Sequence, residues 1–200
     1  AGATTPTVRF EEPTHFSTLA NAAVPAADAK IEVYEFFMWT CPHCMQFEPY
    51  LRQWLTRKPA DVEVVKVPAA FDPTSALLAR AYYALEALGE EQRLSDAFFN
   101  ALVNERRRLR DEQAITSFVK QFGVDEAKFR EAFSSFAVQA KVRRAEQLAE
   151  RFRIDAVPKM VIDGRFRSGD GLASHDQLIG VTDFLIQEAR GLRQPGTATR

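Results

Sequence analysis

The two cysteines of this chain fall within one four-residue window, Cys41-Pro42-His43-Cys44. With no second pair to staple distant segments, a disulfide framework is excluded. A tetrahedral zinc site would need two more ligands, and His15, His43 and His175 show no companion spacing, so no metal is expected. The pair therefore demands a local explanation. With 200 residues and 46% hydrophobic content, the chain can bury one core, or a core with a sizeable insertion. Twenty-six basic and 27 acidic residues give a net charge of -1, which points to neither nucleic acid nor an anionic membrane surface as main partner. Apolar runs fall far short of the roughly 20 residues that span a bilayer. No charged-then-apolar signal segment opens the chain, which reads as a mature form or one that never had such a segment.

The residues around the pair read as strand, helix, strand. Ile31-Glu32-Val33-Tyr34-Glu35-Phe36-Phe37 is β-branched and aromatic, the pattern of a buried strand. After the cysteines, Phe47, Leu51, Trp54 and Leu55 recur at helical spacing, with Pro49 expected to kink that helix rather than end it. Val62 to Val67 forms a second strand, and the unit is βαβ with parallel strands expected.

From Pro73 to about Phe152 the pattern is helical throughout. One stripe (Leu77, Leu78, Ala81, Tyr82, Leu85, Leu88) stops at Gly89, and a second carries Leu94, Phe98, Ala101 and Leu102. A third (Ile115, Phe118, Val119, Phe122) stops at Gly123, and Asp125 caps a short helix bearing Phe129 and Phe133. A longer helix carries Ala137, Ala145, Leu148, Ala149 and Phe152. The run Arg106-Arg107-Arg108-Leu109-Arg110 reads as a solvated charge run in a helical turn. Strands return at Lys159 to Ile162, a two-residue Asp163-Gly164 turn leads to Arg165-Phe166-Arg167, and Ser174 to Gln177 resembles a capping box for a last helix. The fold class is α/β: a thioredoxin-like mixed sheet flanked by helices and interrupted by an all-helical insertion. The expected boundaries are 14–70 and 153–190 for the discontinuous sheet domain, 73–152 for the insertion, and 1–13 and 191–200 for flexible termini.

A dithiol exchanges with disulfides when one sulfur is exposed and largely ionised and a neighbour can resolve the mixed disulfide. Cys41 sits where a strand meets a helix, so unpaired N–H groups and the helix dipole favour its thiolate. Pro42 suits the first helical turn. Cys44 comes one turn later and faces inward. His43 can donate to the Cys41 thiolate or attract it as a cation, which stabilises the reduced protein and makes the disulfide a better oxidant. Alternation sets Glu35 on a face with Ile31, Val33 and Phe37, and Lys66 on a face with Val62 and Val64. Buried charges need partners. A structural Glu35–Lys66 pair, and a carboxylate that takes the proton from Cys44 when it attacks, stand as equal readings. Val157-Pro158 precedes a strand that must start near the cysteines if the two halves share a sheet.

The segments Val33 to Phe37, Cys41 to Cys44 and Gln46-Phe47-Glu48, with Val157-Pro158 and Val161 to Gly164, resemble the DsbA family of bacterial periplasmic dithiol oxidases. The resemblance covers about residues 14 to 190 and includes the helical insertion. It implies that Cys41 is the nucleophile and Cys44 the resolving thiol. It further implies that Pro158 is cis, with Val157 offering its backbone to an extended substrate peptide, and that Glu35, Glu48 and Lys66 form the charged group under the site. Reduced, folding polypeptides would be the substrates, a membrane DsbB-type oxidase would restore the disulfide, and the protein would be a periplasmic monomer needing no cofactor beyond the cysteine pair. Pro49 resembles the helix-kinking proline of thioredoxin. Met38-Trp39-Thr40 and Met45 depart from the family pattern, which leaves substrate preference open. The competing readings are a disulfide isomerase or reductase, a non-catalytic binding module, and a kappa-type glutathione transferase.

Overall fold

The computed structural model describes residues 9–20, 22 and 29–193; the expectations for 1–8 and 194–200 lie outside them. In chain order the strands are β1 (Phe16–Thr18), β2 (Ile31–Phe37), β3 (Val62–Pro68), β4 (Lys159–Ile162) and β5 (Phe166–Ser168). The helices are α1 (Pro42–Leu55), α2 (Pro73–Ala87), α3 (Glu91–Phe99), α4 (Glu112–Lys120), α5 (Glu126–Ser134), α6 (Phe136–Arg151) and α7 (His175–Arg193). The strands form one mixed sheet in the order β1-β5-β4-β2-β3. By contact, the chain groups into two units. One holds residues 1–34, 50–65 and 160–200, and the other holds 35–49 and 66–159.

In the first unit, α7 buries Leu178, Val181, Leu185, Ile186 and Ala189 and packs against β5, and Val161 and Ile162 of β4 are buried as well. Trp54 of α1 is buried, and its indole N–H donates to Asp183 at 2.7 Å. Ser174 caps α7 through the Gln177 N–H, but the Gln177 side chain accepts from Ala173 rather than from the cap residue, so the capping box is only half closed. The helix runs past Gly191 to Arg193.

Asp163 and Gly164 both have positive φ, 58° and 61°, which is the backbone that an Asp-Gly hairpin turn requires. Arg165 N–H closes the turn on Ile162 O at 3.0 Å, and pairing resumes with Ile162 opposite Phe166. Arg165 is thus one residue more than the expected two-residue connection. Strand β1 carries no pattern in the sequence, being only three residues long. It pairs antiparallel with β5, and the contact continues past the ladder, with Gly169 N–H on His15 O and Gly171 N–H on Thr14 O. A Cβ at Gly169 would overlap the backbone of Thr14 and His15, so this approach needs a glycine. Phe10, Phe16 and Phe166 gather their rings around this strand and α7, so 9–13 are tied down at Phe10.

The second unit is mainly helical. α2 packs against α5 and α6, α4 against α5, and α5 against α6. Leu85, Leu94, Phe98, Phe99, Ile115, Phe129 and Phe133 are wholly buried there. Each such side chain contributes about 1.5–3 kcal/mol of burial free energy, which is what most of the 16 phenylalanines are for. Asp72 closes a full capping box with Ser75 on α2, while Asp111, Asp125 and Ser135 cap α4, α5 and α6. The stop glycines are as expected, with Gly89 at φ 70° and Gly123 at φ 81°. The buried stripe of α6 is Val138, Val142, Ala145 and Leu148; Ala137 lies one position off it and is exposed. The arginine run also differs from expectation. A π-helical turn (Asn100–Asn104) ends α3, Arg106 takes φ 55°, and 106–110 are irregular rather than helical. The four arginines are exposed and solvated as expected, and Leu109 alone is buried.

Candidate active site

Helix α1 begins immediately after Cys41, which holds the N-cap position. Cys41 N–H donates to Met38 O, and Cys41 O accepts the first helical N–H from Met45, both at 3.1 Å. The thiol does what a capping oxygen would do: its Sγ accepts the Cys44 N–H at 3.3 Å. Pro42, at the first helical position, loses no bond. One turn on, Cys44 points into the core and is fully buried, whereas Cys41 is half-exposed. Both are free thiols, so the structure shows the dithiol form.

This geometry drives the two sulfurs apart chemically. Cys41 is lowered to about 6. The Cys44 thiol donating to its sulfur is the largest cause; burial opposes it, and the backbone N–H groups of Cys44 and His43 and the charge of His43 assist. His43 itself is exposed, next to the sulfur in sequence. Cys44 is pushed far up, first by burial, then by its hydrogen bond to Cys41 and by the negative charges of Cys41 and Glu35. One sulfur is therefore an anion at neutral pH and its neighbour a proton-bearing thiol.

The carbonyl of Val157 lies 3.6 Å from Cys41 Sγ. The Val157–Pro158 peptide is cis, as the family resemblance implies. Met38-Trp39-Thr40 is held from the helical side: the Trp39 ring stacks on Phe98 at 4.0 Å and 11°, and its N–H reaches Ser95 Oγ at 3.3 Å. Sequence reasoning singles out Trp39 only as a departure from the family pattern, places Phe98 only in a helical stripe, and misses Ser95. Trp39 lies two residues before the nucleophile, which is a usable signal; Ser95 lies 56 residues away and gives none.

Glu35, Glu48 and Lys66 come together as one cluster. Lys66 Nζ is 3.2 Å from Glu35 Oε2 and ion-paired with Glu48 Oε1. The Glu35 side chain is wholly enclosed, yet neither oxygen makes a well-aligned hydrogen bond. Burial pushes Glu35 up to about 7, Lys66 opposes this, and Glu48 adds to it. Burial also works against the Lys66 charge, but the two carboxylates outweigh it and raise Lys66. Glu35 is thus a carboxyl that exchanges its proton near neutrality, and its charge is felt at Cys44. His15 accepts the Glu11 N–H, and His175 packs on Tyr50. No metal-ligating cluster occurs among the described residues.

A thioredoxin-like sheet that presents an ionised thiol at a helix N-terminus, with a buried partner thiol one turn away, defines a thiol–disulfide oxidoreductase. Residues 32–180 match the model of the DSBA-like thioredoxin domain family. The chain is 42% identical over 173 residues to the thiol:disulfide interchange protein DsbA of Bordetella parapertussis, covering 85% of this chain and 82% of that protein. It is 33% identical over 182 residues to DsbA of Pseudomonas syringae, covering 90% and 85%. The crystal structure of Pseudomonas aeruginosa DsbA superposes with a TM-score of 0.83 at 30% identity, over 90% of this chain and 94% of that one. The chain belongs to the DSBA-like thioredoxin domain family and is a protein dithiol oxidase of the thiol:disulfide interchange class.

Proposed function

We propose that this protein donates its Cys41–Cys44 disulfide to reduced, folding polypeptides. In the first step a substrate thiolate attacks Cys41 Sγ, the Cys41–Cys44 bond breaks, and Cys44 leaves with the electron pair. A thiol as hard to ionise as Cys44 leaves well only if a proton follows the charge. Glu35, poised near neutrality, is the donor, with Lys66 and Glu48 holding it in place. A second substrate thiolate then attacks its own partner sulfur and releases Cys41 as the thiolate. The substrate gains one disulfide and the enzyme keeps two electrons. Pro42 and His43 support the Cys41 anion, while Val157 and Pro158 offer backbone to an extended substrate beside it.

The observation that carries this reading is the asymmetry of the two sulfurs. An anion held at Cys41 stabilises the reduced enzyme, so its disulfide is readily given away. Family membership supports the remaining parts of the reading. Reoxidation falls to a membrane oxidase of the DsbB type, the working compartment is the periplasm, and the protein acts as a monomer with no cofactor beyond the cysteine pair. The discontinuous assignment of 14–70 with 153–190 as the thioredoxin-like domain, and of 73–152 as the helical insertion, belongs to the same reading. No helix among the described residues is long and apolar enough to cross a membrane.

The test is equilibration with glutathione buffers, followed by acid trapping and thiol counting. A disulfide donor stays reduced in mixtures that oxidise a thioredoxin-type reductase. Oxidation under strongly reducing mixtures overturns the donor reading.

A further inference from the structure

Helix α2 has two working faces. Ser75, Leu78 and Ala79 line a small cavity with Met38, Trp39 and Thr40, against the segment that leads into Cys41. At 100° per residue, Ala76, Leu77 and Arg80 fall on the opposite side of the helix. There they form, with α6, a groove of about 340 Å³. Its apolar floor is Ala76, Leu77 and Val142, and its polar edge is Arg80, Gln139, Arg143 and Glu146.

The arginines give the groove its chemistry. Each guanidinium is steadied on an aromatic ring, Arg80 over Phe133 at 5.3 Å and Arg143 over Phe136 at 5.5 Å. Neither meets a carboxylate among the described residues, although exposed Lys141 and Lys120 and half-buried Arg130 all do. Phe136 is 77% exposed, the most open of the large apolar side chains described. Two unpaired, ring-supported cations beside an apolar floor suit a ligand that sets a carboxylate next to an apolar group. Glu146 in the same rim disfavours a free dianion. Gln139 donates its amide N–H to Ser134 O at 3.1 Å, which leaves its Oε1 to accept. Two acceptors and two cations around an apolar strip match a peptide backbone with an acidic side chain.

We propose that this groove holds an extended segment of the client polypeptide, one that presents a carboxylate beside an apolar side chain. The proposal rests on the reading that the substrates are unfolded chains. It gives the helical part of the protein a second grip on the client, distinct from the contact at Val157.

The probe is a fluorescein-labelled, cysteine-free peptide of alternating glutamate and leucine, with a lysine–leucine peptide as control, titrated into the full chain. The glutamate peptide binds, and its affinity falls about tenfold in the Arg80→Gln/Arg143→Gln double variant, with roughly a threefold fall in exposed Arg143→Gln alone. Rising salt weakens binding in the same way. With an acidic unfolded dithiol chain as substrate, KM rises in the variants while kcat, and oxidation of dithiothreitol, stay unchanged. Equal binding of both peptides, or unchanged affinity in folded variants, overturns the proposal. So does displacement by decanoate that itself binds in the groove, which makes the occupant a small amphiphile, or self-association abolished by the same substitutions, which makes it a second copy. Because the probe lacks cysteine, the two readings separate. A protein that binds it yet oxidises no unfolded dithiol chain loses the donor reading; one that oxidises such chains but ignores the probe loses only the groove.

Discussion

Two buried charge clusters in this protein are built oppositely. Around Asp163 one carboxylate meets two guanidiniums: Arg193 grips both oxygens, and Arg165 Nε lies 3.3 Å away. Arg193 also donates to Ala29 O and Lys30 O, so its charge is shared among several acceptors. Around Lys66 one ammonium serves two carboxylates, and the more buried of them, Glu35, has no well-aligned hydrogen bond. The first cluster ties chain segments together around its carboxylate. The second leaves Glu35 undecided between charged and neutral, and a group in that condition can move a proton. Buried charge in a core is therefore informative through the count of partners rather than through its presence.

The largest expected contrast comes from breaking each cluster at its centre. Asp163→Asn leaves two largely buried guanidiniums without their anion and costs about 3–5 kcal/mol in denaturant unfolding, with the turnover of the folded fraction unchanged. Cys41→Ser does the reverse: oxidation of dithiols falls to background while, near pH 5 where Cys41 is mostly protonated, the unfolding midpoint stays close to that of the reduced protein. If Asp163→Asn slows turnover of folded protein, or leaves stability untouched, the structural reading of that cluster fails.

Next in size is Glu35→Gln. It keeps the shape, lets Lys66 pair with Glu48 alone, and slows formation of the mixed disulfide, the step in which Cys44 leaves, by about 10²-fold, the lower range for general acid–base help. The sign of its effect on stability follows from the raised pKa. Glu35 contributes most to stability when protonated, below about 4.5, and that contribution is lost as pH rises through about 7. The wild type should therefore lose stability relative to Glu35→Gln between pH 4.5 and 7 and track it outside that window. Parallel curves across the window contradict the assignment.

The smallest effect lies at the loop support. Ser95→Ala removes one 3.3 Å hydrogen bond from Trp39 and costs about 0.5–1.5 kcal/mol. A larger loss would mean that Ser95 carries more than the Trp39 contact.

Much of this was legible in the sequence because it is local. A cysteine pair at a strand–helix junction, the Asp-Gly turn, the stop glycines and the Asp125 cap are decided within a few residues of backbone geometry. Alternation marks Glu35 and Lys66 as charges on apolar faces; of the two readings of them the ion pair forms, and the proton transfer stays a proposal that the raised Glu35 supports. What stayed hidden is long-range or short. Strand β1 is three residues that exist as a strand only through β5 and the glycines behind it. Ser95 and Phe98 meet Trp39 across more than fifty residues. The arginine run looked helical because composition does not reveal a π-helical turn that ends in a positive φ at Arg106. The sequence marks Asp163 as a turn residue, and its role as the centre of an ion cluster depends on an arginine thirty residues away.

Disulfide donation by this protein depends on the ionisation of Cys41, and thiolate absorbance of the reduced protein titrated from pH 4 to 10 measures it directly. We expect a transition centred at about 6, and stability of the reduced form, relative to the oxidised, that grows as pH rises from about 6 toward 9 and is lost as pH falls through 6. A single transition near 9, with reduced and oxidised forms keeping the same stability difference across that range, would contradict it.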